Sequence, residues 1–169
     1  MRFVVTGEWD RNTMLRLVLV LFLVYVLLFI VSSALLYFDR MGLDPASVQI
    51  YFLGDPDLDF GRPPRSYASM IETSHTHLFA MGMLVMVLTH LLLFAPMSPR
   101  SKAWLVILSF LSTLSSELCN WLVRFVSPSF AYAKIGSFIA MELSLLALTC
   151  AIAIHVYRPH RNAYKDGVR

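Results

Sequence analysis

Along most of this chain the apolar positions follow neither the alternation of a half-buried strand nor the one-sided stripe of a surface helix. From Leu17 to Tyr37 it reads LVLVLFLVYVLLFIVSSALLY, apolar on every face and uncharged. A helix that is hydrophobic all round belongs in the centre of a large protein or in a bilayer. About 20 residues at 1.5 Å each cross a hydrocarbon core of roughly 30 Å. Three more apolar runs follow. The second is closed by Pro96 and Pro99, the third by Pro128, and the fourth by Arg158 and Pro159, residues that end a helix through the missing N–H or a C-terminal charge. The pattern predicts an all-α fold, an integral membrane four-helix bundle. It forms a single transmembrane domain over 1-169, with spans at approximately 15-38, 74-97, 102-126 and 133-157. The first run is too long for a signal peptide, and no small-residue cleavage site precedes Tyr37, Phe38 and Asp39.

Composition agrees. Of 169 residues, 57% are hydrophobic and 15% charged, against about 25% charged in an ordinary soluble domain. That excludes a soluble enzyme of normal make-up, and 7 Gly, 8 Pro and 2 Cys exclude collagen-like and disulfide-built chains. Cys119 and Cys150 fall at depths differing by roughly 15 Å, beyond disulfide reach, and are expected as thiols.

The net charge of +3 reports topology rather than a nucleic-acid partner. Arg2, Arg11, Arg16, Arg100, Lys102, Arg158, Arg161, Lys165 and Arg169 lie on the tails and the second connection. The opposite connections carry only Arg40, Arg62, Arg65, Arg124 and Lys134, and the longer is acidic through Asp39, Asp44, Asp55, Asp57 and Asp59. The positive-inside rule predicts both termini cytoplasmic, a multi-pass protein of the cell inner (cytoplasmic) membrane, and a long outer loop, 39-67, between the first and second spans. The Asp55, Asp57, Asp59 alternation lacks the glycine turn and distal glutamate of a calcium loop, so a solvated acidic loop is expected. Its apolar stretch Ile50 to Leu53 is expected to fold back on the bundle. Trp9, Trp104, Trp121, Tyr132 and Tyr157 read as interfacial belt residues.

Ionisable groups within a bilayer are costly unless paired or hydrated, so each is a candidate for function. Counted from the cytoplasmic boundary, His90 lies about 10 Å in and His155 about 5 Å in, on the second and fourth spans. Glu117 and Glu142 both fall at about 24 Å, in the outer half, where the second span also presents Glu72, His75 and His77. At 100° per residue Glu72, His75, Phe79, Gly82, Met86 and His90 form one stripe, and His77 points about 160° from His75. Ser109, Ser112, Ser116 and Cys119 or Asn120 form a small polar stripe suited to close helix approach.

Two histidines on neighbouring antiparallel helices at similar depth are what bis-imidazole ligation of a b-type haem needs. The string HTHLFAMGMLVMVLTH, with a histidine near each end of one span, resembles the arrangement in small cytochrome b-type, haem- and quinone-linked membrane anchor subunits. The resemblance covers the second and fourth spans. It implies haem b bound by His90 and His155, with His75 as a further candidate ligand, together with quinone and partner electron-transfer subunits in the membrane or on its outer side.

The outer cluster admits three readings. Glu72, His75, His77, Glu117 and Glu142 would form an oxygen-rich site for iron or copper, Glu72 and His75 having the Glu-x-x-His spacing of carboxylate-bridged metal bundles. Alternatively, Glu117 and Glu142 exchange protons at a quinone that a histidine hydrogen-bonds. In the third reading, each Glu pairs structurally with His, Arg124 or Lys134. The expected function is thus a membrane electron-transfer subunit binding haem b and quinone. The alternatives are a metal-dependent membrane oxidoreductase and a cofactor-free assembly subunit, so whether the chain is an enzyme stays open.

Overall fold

The computed structural model describes residues 13–55 and 61–157. They form α1 (Thr13–Arg40), α2 (Pro45–Leu53), α3 (Tyr67–Leu92), α4 (Pro99–Phe125), a 3-10 turn (Pro128–Phe130) and α5 (Ala131–Tyr157). Four of these helices are long and apolar enough to cross a membrane, as the pattern predicts. Short connections make α3, α4 and α5 run alternately up and down, which brings Arg40, α2, the start of α3 and the end of α4 together at one end, here the loop end.

Helix boundaries follow local chemistry. The second span starts at Tyr67, not near residue 74, because Ser66 caps it by accepting from the Ser69 N–H at 3.2 Å. It stops at Leu92, not at 97. Pro96 has no N–H to extend the helix, and the chain turns through Ala95 N–H to Leu92 O (3.0 Å) and Met97 N–H to Ala95 O (2.8 Å). Ser98 caps α4 in the same way, with Pro99 at its start.

The segment 39-67, expected as a loop, contains a helix. Asp44 accepts from the Ser47 N–H at 2.9 Å, Pro45 occupies the first turn, and Gly54 ends α2 at φ 86. A Cβ there would lie 2.7 Å from Arg62 O, so the close return of the chain also requires glycine. The Ile50 to Leu53 stretch does fold back on the bundle. Tyr51 and Phe52 are buried with Val48 against Met70, Val123 and Ala131, although Ile50 faces outward. Asp57 and Asp59 lie outside the described residues.

α5 is the hub of the bundle, packing against α4, α1 and α3. The α4–α5 seam is the tightest, as the small polar stripe predicts: Ser109, Ser112, Ser116 and Cys119 are all buried, and Ser112 and Ser144 hydroxyls meet at 3.2 Å. Small side chains let two backbones approach where lipid supplies no hydrophobic drive to do so. α1 docks mainly on α5, with Tyr37 stacked on Phe138 at 3.7 Å. Cys119 and Cys150 are unpaired thiols.

Candidate functional site

Glu117 is the centre of the polar network at the loop end. Its side chain is 12% exposed. Ser74 Oγ donates to Oε1 at 2.5 Å, Asn120 Nδ2 donates to Oε2 at 3.2 Å, and His77 Nδ1 lies 3.4 Å from Oε2. Trp121 Nε1 donates to Ser74 Oγ at 2.7 Å, so the serine relays the indole to the carboxylate. Behind it, Lys134 is 7% exposed, donates to Ser116 O and Oγ at 3.1 and 3.0 Å, and exerts a Coulombic pull on Glu117. The carboxylate therefore meets three hydrogen-bonding side chains and one nearby cation, the compensation that a charge needs in low dielectric.

Glu117, His77, Asn120 and Lys134 all line a cavity of about 640 Å³. Its walls come from all four long helices and are mainly apolar, through residues such as Phe29, Leu36, Leu78, Met81 and Leu114. Gly82 also lines it, and a Cβ there would meet nothing within 4 Å. Arg40, Tyr51 and Arg65 line its loop end. A volume of a few hundred Å³ with apolar walls and a few convergent polar groups is the usual form of a small-molecule site.

The structure brings together only part of the predicted cluster. His77 joins Glu117 across α3 and α4, but His75 and Glu72 lie on the exposed face of α3, the Glu72 carbonyl accepting from Thr76. Glu142 is placed elsewhere. Both its carboxylate oxygens are buried without a hydrogen-bond partner, and Ser33 of α1 faces it without closing a bond. Glu142 does not line the cavity. His90 is exposed on the same outward stripe as Phe79 and Met86, edge-on to Phe94 at 5.9 Å. His155 is half-buried near the end of α5. Among the described residues no group of three or more His, Cys, Asp or Glu is placed to hold a metal ion.

His75 and His77 face different ways on α3, as their spacing predicts, and the inward face is the one nearer His77. Met70, Ser74, Met81, Val85, Leu88 and Leu92 are buried there. Arg124 and Lys134, expected as partners of the glutamates, go largely elsewhere: Arg124 Nε donates to Arg65 O at 2.8 Å, and Lys134 to Ser116. Two contributors lie outside the expected site residues: Ser74 carries no signal beyond its polarity, and Trp121 reads as a belt residue like the exposed Trp104 and Tyr132. Trp9 lies outside the described residues.

Four long apolar helices around a polar-floored cavity define a multi-pass integral membrane protein. The chain belongs to the Aq_1264_TM family, a transmembrane helical domain, whose model matches residues 42–163 and so covers α2 through α5. Neither a curated protein nor a solved structure matches the chain.

Proposed function

We propose that the chain is an integral membrane subunit of an electron-transfer complex that receives a quinone in the cavity beside Glu117. The observation that carries this is the joining of a part-buried, hydrogen-bonded carboxylate and a histidine on the wall of an apolar cavity of about 640 Å³. A quinone is a flat ring with two carbonyl acceptors on an apolar tail. The tail suits walls built from Phe29, Leu36, Leu78 and Leu114, and the ring needs one donor and a route for protons. His77 supplies a donor from a side chain 52% exposed, and Glu117 behind it holds or releases the proton that His77 passes. Electrons would come from a partner subunit. The arginine and lysine distribution supports cytoplasmic termini and an inner-membrane location, with the loop end outward.

Haem ligation by His90 and His155 draws no support from the geometry, since His90 faces away from the bundle. A Soret change between reduced and oxidised purified protein would restore it. The quinone reading is tested in nanodiscs by titrating a short-tailed quinone and following quenching of Trp121, with Trp9 and Trp104 replaced by Phe. Saturable quenching is expected, weakened about tenfold by His77→Ala or Glu117→Gln, the worth of one hydrogen bond to a charged group. Quenching that is linear in quinone, or as strong in both variants as in the unsubstituted chain, overturns it.

A further inference from the structure

Among the described residues, the charges that line the cavity do not balance. Glu117 is offset by Lys134, whereas Arg40 and Arg65, which line the loop end of the same cavity, meet no carboxylate among the described residues. Three guanidinium groups converge on one ring. Arg40 Nη1 donates to Tyr51 Oη at 3.2 Å, and the Arg65 and Arg62 guanidinium carbons lie 5.4 and 5.7 Å from the Tyr51 ring centre. Arg65 Nη2 reaches only a neutral hydroxyl, Thr73 Oγ1, at 3.3 Å. Cation–π contact offsets part of the cost of gathering like charges but supplies no counter-charge. Asp44 acts on the Tyr37 hydroxyl through space, but neither Arg40 nor Arg65 forms an ion pair with a carboxylate among the described residues.

Two buried donors in the same place have no partner. Arg65 Nε is fully enclosed without a hydrogen bond, and so is Tyr37 Oη, on a side chain only 5% exposed that also lines the cavity. Tyr37 and Arg40 stand three residues apart on α1, on one helical face. A buried unmet donor costs about 1–3 kcal/mol, so two of them beside two cations that meet no carboxylate among the described residues point to an anionic acceptor. The depth identifies its source. Arg40 ends α1 and Arg65 precedes α3, which places both at the end of the membrane spans, where phospholipid phosphates lie, and the apolar walls continue from them toward the bilayer centre.

We propose that the loop end of the cavity is a binding site for an anionic phospholipid, its phosphate held by Arg40, Arg65 and the Tyr37 hydroxyl and an acyl chain laid along the wall formed by α1 and α3. Arginine suits this role because its planar fork binds phosphate oxygens in pairs. Its polar contacts are separate from those of the quinone reading, which uses His77 and Glu117, although both ligands would share the α1–α3 wall.

The test is native mass spectrometry of the full chain, delipidated in detergent and then supplied with phosphatidylglycerol, phosphatidylcholine or inorganic phosphate. One phosphatidylglycerol retained per chain is expected, at least tenfold in preference to phosphatidylcholine. Retention should fall by tenfold or more in Arg40→Gln/Arg65→Gln and severalfold in Tyr37→Phe, while Arg100→Gln, at the opposite end, retains it fully. Tyr37→Phe removes a hydroxyl that has no partner and keeps the stack on Phe138, so it guards against a misfolded arginine variant. Equal retention of the two lipids, or unchanged retention in both Tyr37→Phe and the arginine variant, overturns the proposal. Inorganic phosphate raising the thermal midpoint as much as phosphatidylglycerol would assign the cations to free phosphate and overturn the lipid claim. Loss of quinone binding in His77→Ala with lipid retention intact would bear on the quinone reading alone.

Discussion

Ser74 shows how one small side chain sets the state of a charged one. Its hydroxyl accepts from Trp121 Nε1 and donates to Glu117 Oε1, so both of its hydrogen-bonding roles are used in a place with little water. Ser74→Ala should orphan the indole N–H and remove one of three donors from the carboxylate, costing about 1–3 kcal/mol. The expected readout is a lowered thermal midpoint with altered Trp121 emission, whereas Ser69→Ala, whose hydroxyl makes no contact with Glu117 or Trp121, should change neither. Asp44 sits outside the spans and titrates differently. The Ser47 N–H, with the Ser47 hydroxyl beside it, holds the Asp44 carboxyl below the usual carboxylate range. A group whose folded value is depressed contributes stability above its unfolded value and loses it as the pH falls through the folded one. The docking of α2 should therefore be constant at neutral pH and loosen only in acid, below the ordinary aspartate range. Amide exchange over 45–53, corrected for intrinsic rates, checks it, and Asp44→Asn should flatten the profile.

At the scale of the helix, what the chain pattern shows depends on which signals a bilayer preserves. Span number is legible because the length and all-round apolarity of each run act locally, whereas the ends of the second span are not: the Ser66 cap starts α3 at Tyr67 and the chain turns before Pro96, so the helix stops at Leu92. The α4–α5 seam is legible because Ser109, Ser112 and Ser116 are small, and small residues matter only where backbones meet. The inward face of α3 is not, because lipid is as apolar as leucine: Val85 and Leu88 are buried while Leu78, Phe79 and Met86 are exposed, with no contrast in hydrophobicity between them. Polarity misleads there too, since His75 and His90 sit near helix ends where water and headgroups can receive them. The helix α2 escapes a reading based on 20-residue spans, although the Asp44, Pro45 and Gly54 signals are present in the chain. These differences have consequences for mutation. Ser109→Leu should force α4 from α5 and cost about 1–3 kcal/mol, read as a lower thermal midpoint. Leu108→Ser, on the exposed neighbouring face, should leave the seam intact.

Across the whole molecule, the arrangement of helices explains why a cavity exists at all. α5 packs on each of the other spans, and α3 and α4 pack on each other, but α1 leans on α5 through Leu23, Val26 and Tyr37 and leaves space between itself and α3. The family match begins at residue 42, after α1 has ended, so the cavity is bounded on one side by the matched domain and on the other by a helix beyond it. Both proposed ligands depend on that space, and Gly82 allows it to be closed without disturbing its surroundings. It lies midway along α3, lines the cavity, and has open room where its Cβ would be. A side chain placed there meets no neighbour at its Cβ and stands at the cavity wall. It also removes the helix penalty of glycine, about 0.5–1 kcal/mol relative to alanine. Gly82→Phe should therefore leave the thermal midpoint unchanged or slightly raised while abolishing saturable quinone quenching of Trp121. Gly82→Ala, which adds only a methyl group, should raise stability and retain binding. A Gly82→Phe protein that is stable and still binds quinone with unchanged affinity would place the ligand outside this cavity.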